Sequence, residues 1–184
     1  MELGIVVTVM AFIGTINAFG PKMGPYDINI EKFEPCEDQG TGQITFPTRL
    51  NSAGKGRKVY HESFTLGVPI DDKTKVEVEI QKFGNGGWRP KFIQYTMKNC
   101  KAIWKMVGSE IIAIGKASNN SLESCPVPAG VYNVDNWEMS LNLEKNIPTM
   151  EYGKYRGFFK FHYNTDFVGC IIGYGECLPK ETKS

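Results

Sequence analysis

The stretch that decides the fold runs from Cys125 to Cys170, CPVPAGVYNVDNWEMSLNLEKNIPTMEYGKYRGFFKFHYNTDFVGC. It holds two runs in which apolar and polar residues alternate. In the first, Trp137, Met139, Leu141 and Leu143 alternate with Glu138, Ser140, Asn142 and Glu144. In the second, Tyr155, Phe159, Phe161 and Tyr163 fall opposite Arg156, Lys160 and His162. Successive side chains of a strand point to opposite faces, so a period of two marks a half-buried strand. Cys125-Pro126 with Gly130 and Tyr132 opens the stretch, Ile147-Pro148 marks a turn, Gly153 to Arg156 begins the second strand and Gly169-Cys170 closes it.

Working outward, Val168 to Tyr174 reads as a final strand. Upstream, Lys75 to Phe83 is the cleanest alternation in the chain: Val76, Val78 and Ile80 point inward while Lys75, Glu77, Glu79 and Gln81 point to water. Gly84-Asn85-Gly86-Gly87 then predicts a tight hairpin with positive φ at Asn85 and Gly86, and Trp88 to Lys98 returns. Tyr26 to Phe33 and Val59 to Val68 add two more strands. Gln43 to Leu50, broken by Pro47, suits an edge, and Asn51 to Lys58 is a loop without the spacing of a phosphate-binding motif. Between Cys100 and Cys125 the period changes. Ile103, Trp104, Met106 and Val107, then an interruption at Gly108, then Ser109-Glu110 capping a segment with Ile111, Ile112 and Ile114, predict one or two short helices near residues 100–117. Seven or eight short strands with one helical insert give an all-β antiparallel sandwich.

Leu3 to Ile16 is almost wholly apolar and ends at Asn17-Ala18, which predicts a secretory signal over residues 1–18 and one domain over 19–184. The five cysteines, Cys36, Cys100, Cys125, Cys170 and Cys177, all lie beyond that point, where an oxidising compartment lets them pair. Order along the chain suggests a Cys100–Cys125 bridge across the helical insert, among fifteen ways of forming two bridges from five cysteines. One must stay single or pair with another chain. Asn119-Asn120-Ser121 is an acceptor sequon for N-glycosylation. Without Glu2 the balance is 21 basic to 19 acidic residues, too near neutral to imply nucleic acid as a partner.

The chain offers little chemistry. There is no nucleophile elbow, no Cys-x-x-Cys pair and no His pair spaced as metal ligands, so neither a metal nor a cofactor is expected. His61 and His162 fall on polar strand faces and read as solvated. The expectation is therefore a protein without catalysis. The supply of large rings is high, with 11 Phe, 8 Tyr and 3 Trp, and composition leaves two readings open: a filled core, or two sheets splayed around a cavity.

The ordered set Cys125-Pro126 with Gly130 and Tyr132, Ile147-Pro148, Gly153 to Arg156 and Gly169-Cys170 resembles the secreted ganglioside GM-two activator branch of the ML lipid-recognition proteins, which includes arthropod chemosensory members. The resemblance implies a β-cup with an apolar cavity, a Cys36–Cys170 bridge, and a secreted, extracellular protein that carries or presents a lipid to a partner. Trp104, Ile111, Ile112, Trp137, Met139, Phe159 and Phe161 are the candidate cavity or rim residues. The partners implied are a long-chain hydrophobic ligand, a receptor, channel or lipid-processing enzyme, and transient contact with a membrane. An alternative is an extracellular accessory protein in chemosensory signalling that acts through a receptor or channel. The chain has fewer cysteines than the activator and an additional Cys177 in its tail, so ganglioside specificity does not carry over.

Overall fold

A computed structural model describes residues 23–49, 51–52, 54, 58–138, 143 and 146–180. The signal at 1–18 and most of the strand expected around Met139 and Leu141 lie outside the described residues. The elements in chain order are β1 (Met23–Gly24), β2 (Tyr26–Pro35), β3 (Ile44–Thr45), β4 (Asn51–Ser52), β5 (Lys58–Val59), β6 (Ser63–Leu66), β7 (Thr74–Gly84), β8 (Gly87–Met97), α1 (Cys100–Ala117), β9 (Gly130–Asn133), β10 (Met150–Glu151), β11 (Gly153–Tyr163) and β12 (Asp166–Pro179).

The long strands form one five-stranded sheet in the order β2-β12-β11-β7-β8, antiparallel throughout. The short ones form a three-stranded sheet, β3-β6-β9, and two small ribbons, β1-β10 and β4-β5. The fold is thus all-β and antiparallel, with one helix and two disulfides, Cys36–Cys170 and Cys100–Cys125.

Register turns the long sheet's inner face into a ladder of rungs. Met97, Val76, Phe161 and Gly169 make the first; Tyr95, Val78, Phe159, Ile171 and Pro35 the second. The third is Ile93, Ile80, Gly157, Gly173 and Phe33, and the fourth brings Lys82, Tyr155, Gly175 and Ile30 together. The β3-β6-β9 sheet closes down on the first rung, where the Ile44 carbonyl would lie 2.4 Å from a Cβ at Gly169. That approach is open only to glycine. A column of rings, Tyr132–Phe64–Phe46–Phe161, then joins the two sheets with centroids 4.9, 6.2 and 5.2 Å apart.

The helix covers the same end. Asn99 caps it, its side-chain oxygen accepting from the Ala102 N–H at 2.9 Å, which satisfies one of the orphan donors of the first turn. The helical segment is kinked at Val107 (φ −131°, ψ 22°), where two helices meet end to end beside the expected interruption at Gly108. Gly108 follows the kink and also gives space: a Cβ there would meet the Trp104 indole at 2.9 Å, so the glycine makes room for the ring one turn earlier. Glu110, past the kink, is buried on the helix.

Four other local expectations change. In the β7–β8 turn the positive φ belongs to Gly87, at +95°, and not to Asn85 or Gly86, so one glycine after the turn takes up the strand twist. A register shift between Ile80 and Lys82 opens β7 at Gln81, which is buried and accepts from Arg156 Nε at 2.8 Å instead of facing water. His162 is mostly shielded, its Nε2 3.5 Å from Glu77 Oε2 and its ring against Phe167 at 5.5 Å. Cys177, expected in a tail, sits within β12 and is 2% exposed, unpaired.

Candidate ligand cavity

Two buried apolar clusters occupy the two ends of the long sheet. The larger one holds Val76, Val78, Phe161, Val168, Ile103, Ile111 and the residues of the short sheet. The smaller one gathers Tyr26, Tyr155 and Cys177 with Ile28, Phe92, Met150 and Tyr152. Ile80 packs against both.

Between them the third rung forms a waist. Gly157 and Gly173 lie directly opposite each other on β11 and β12. A Cβ on Gly157 would stand 2.8 Å from Ile80 Cδ1 and 3.0 Å from the Phe159 ring, and one on Gly173 would stand 2.9 Å from the Phe33 ring. Ile80 and the rings of Phe159 and Phe33 therefore lie over the two glycines, which contribute no side chains of their own at the middle of the sheet. Phe33, Phe159, Ile80, Ile93 and Tyr95 share the inward face here and remain only half-buried.

Above this waist an isolated antiparallel bridge pairs Tyr60 with Trp137, the backbone bonds measuring 2.8 and 3.1 Å. Cross-strand pairing stacks the two rings at 5.1 Å, and Tyr60 meets Phe33 at 6.1 Å. A second aromatic column, Trp137–Tyr60–Phe33, thus runs down to Gly173. It differs from the first in one respect. Among the described residues, Tyr60 Oη and Trp137 Nε1 are buried and have no hydrogen-bond partner, although buried polar groups are paired almost without exception. Burial, with the nearby charge of Glu62, raises the Tyr60 pKa far above the ordinary phenol range.

The candidate residues divide accordingly. Trp137, Phe161 and Ile111 are buried members of the larger cluster, and Phe159 and Trp104 are half-buried against it. Ile112 is half-buried and lies away from that cluster; Met139 is outside the described residues. The register brings Phe159 to the waist and places Phe161 at the closed end. Sequence reading missed Tyr60, Phe33 and the Gly157–Gly173 pair. Alternation placed Tyr60 on an inward face, but Phe33 falls in phase with Asn29 and Glu31, and only the register shift between β2 and β12 turns it inward, opposite Gly173.

The outer face of the long sheet is different in kind. Arg156 lies 4.8 Å from the Trp88 ring and 5.3 Å from Phe158, Lys32 sits 4.6 Å above Tyr174, and Trp88 meets Tyr174 at 6.1 Å. Beside this ladder is a groove of about 500 Å³. Glu77, Glu79, Gln81, Gln94, Thr96 and Lys160 line it together with Val78, Tyr95 and Phe158. None of the candidate cavity residues contributes to it, and its polarity does not suit an acyl chain. Asn119, at φ +57° just past the helix, is exposed as a glycan acceptor must be.

Among the described residues no three metal-ligating side chains come together, and no helix is long and apolar enough to cross a membrane. Fold and interior together define a disulfide-bonded, two-sheet β protein whose long sheet has an apolar, glycine-lined waist. A family model described as a protein of unknown function (DUF1091) matches residues 75–157, from β7 into β11. Comparison with curated proteins gives no match.

Proposed function

We propose that the protein is a secreted, non-enzymatic carrier that holds a lipid or other long-chain hydrophobic ligand between its sheets and presents it to a partner. The observation that carries this reading is the waist, with its paired glycines and half-buried inward rings, and the unsatisfied polar pair Tyr60 and Trp137 at the adjoining edge of the larger cluster. The inward rings of Phe33, Phe159 and Tyr95 stay only half-buried, where a closed core would cover them. Burial is worth about 0.8 kcal/mol per CH₂, so a long chain laid over Phe33 and Phe159 gains useful affinity without any charged contact. The resemblance of the Cys125–Cys170 motifs to ML lipid-recognition proteins supports the same conclusion, and the two disulfides are compatible with export.

The test is native mass spectrometry of the secreted protein, followed by organic extraction and lipid analysis of what travels with it. A co-purifying long-chain species that is lost in a folded Phe159→Asp variant is the expected result. A bare mass, unchanged after incubation with a mixed lipid panel, defeats the proposal.

A second reading, an accessory protein of chemosensory signalling, rests on the outer-face ladder of Trp88, Arg156, Tyr174 and Lys32. Trp, Tyr and Arg are the residues that dominate binding energy at protein interfaces. Expression confined to sensory hairs favours that reading; broad or gut expression favours the carrier.

A further inference from the structure

We infer that Tyr60 Oη and Trp137 Nε1 form a polar anchor for a neutral oxygen acceptor, so that the ligand of the waist is a long-chain ester, ketone or aldehyde held by its carbonyl. The inference rests on the carrier reading and narrows it.

Of the seven other tyrosines, five show how this fold treats a phenol. Tyr26, Tyr132, Tyr152, Tyr155 and Tyr163 each donate to a protein oxygen, at 2.8, 2.6, 3.2, 2.7 and 3.3 Å respectively. This fold therefore pairs phenols routinely. Tyr60, at 1% exposure, has no such oxygen, and neither does the Trp137 N–H at 6% beside it. Two unpaired polar groups on one stacked pair are a directed feature, because each alone costs desolvation free energy that a Phe would not.

Chemistry limits what can answer them. An indole N–H only donates, and a phenol O–H beside it serves best as a donor too, so the missing group is an acceptor. The charge that Tyr60 feels is the carboxylate of Glu62, which raises its pKa further. A ligand carboxylate would meet repulsion there as well as the cost of burying its own charge. A neutral carbonyl has two lone pairs and no such penalty. The rest of the ligand then lies where the apolar surface is, along Phe33, the two glycines and Phe159.

The experiment is displacement of an environment-sensitive naphthylamine probe from the delipidated full chain by three competitors of equal chain length: a methyl ketone, a straight-chain alkane and a carboxylate. The ketone is expected to bind about tenfold tighter than the alkane, the yield of one to two net hydrogen bonds, and tighter than the carboxylate. In Tyr60→Phe the ketone-to-alkane ratio falls towards one, and Trp137→Phe lowers it in the same direction. Equal affinity for ketone and alkane in the native protein overturns the inference while leaving the carrier intact, and means that water answers the two donors. A carboxylate that outbinds the ketone also overturns it. Failure of all three, with the probe itself unbound, removes the carrier reading instead.

Discussion

Tyr60→Phe should make the ligand-free protein more stable, which is the reverse of what deleting a buried tyrosine hydroxyl usually does. The ring contacts to Trp137 at 5.1 Å and Phe33 at 6.1 Å are kept by phenylalanine. Only the oxygen leaves, and it has no partner. An unsatisfied buried polar group costs about 1–3 kcal/mol, so the variant gains on the order of 1 kcal/mol or more. On a domain of this size each kcal/mol moves the melting temperature by about 2–4 °C. Tyr155→Phe supplies the control: the same atom is removed, but here it donates to the Glu151 carbonyl at 2.7 Å, so the variant loses about 0.5–1.5 kcal/mol. The assay is thermal and urea unfolding of delipidated protein for both variants side by side. Opposite signs are expected. If Tyr60→Phe loses as much as Tyr155→Phe, the Tyr60 hydroxyl is satisfied in the free protein and the reasoning fails.

Three further outcomes follow from the geometry. Asn99→Ala removes the cap on α1 and should cost about 1 kcal/mol, read as a lower urea midpoint at unchanged slope. The Cys36–Cys170 bridge spans 134 residues and Cys100–Cys125 spans 25; loop-closure entropy gives about 5 and about 3.5 kcal/mol, so the paired Cys36→Ala, Cys170→Ala variant should unfold at the lower denaturant concentration. Burial pushes the Cys177 thiol up to about 11 from an ordinary 9.0. Its contribution to stability is then complete below about pH 9 and lost as pH rises through about 11; native protein should resist alkylation at pH 8 and react at once in denaturant.

Much of the fold was legible because alternation is a local signal. Val76 and Val78 face inward opposite Glu77 and Glu79, and the hairpin to β8 falls where glycines cluster. What local pattern could not carry is anything set by a register shift or a distant strand. Gln81 obeys the polar half of the pattern yet is buried, because the bulge beside it and the Arg156 side chain make a polar site there. His162 is polar by position and shielded by Phe167, which reaches it across the β11–β12 turn. Gly108 marked a break since glycine lowers helix propensity, and the helix does kink beside it at Val107; that the same glycine also gives space to Trp104 was not legible. The waist was invisible for the same reason: Gly157 and Gly173 are 16 residues apart and become neighbours only through the β11–β12 register. Cys36–Cys170 and Cys100–Cys125 are the pairs expected, the first from resemblance and the second from chain order.

The distribution of ties along the long sheet bears on how such an interior could be reached. Both disulfides stand at the closed end: Cys170 lies next to Gly169, where the short sheet touches down, and the Cys100 N–H bonds Asp71 beside the first rung. Helix and short sheet are anchored there too. The opposite end is held by bonds that break and re-form. Tyr26 donates to the Ile147 carbonyl and Tyr155 to that of Glu151, Lys82 pairs with Glu151, and the covering ribbon is two residues long on each side. Local opening draws on the least costly contacts of a structure and leaves its cross-linked part intact. In this chain those contacts are the tyrosine clamps over the smaller cluster. That cluster is joined to the waist through Ile80, so freeing the ribbon exposes apolar surface continuous with Phe33 and Phe159 while the aromatic column at the closed end, Tyr132 to Phe161, stays packed.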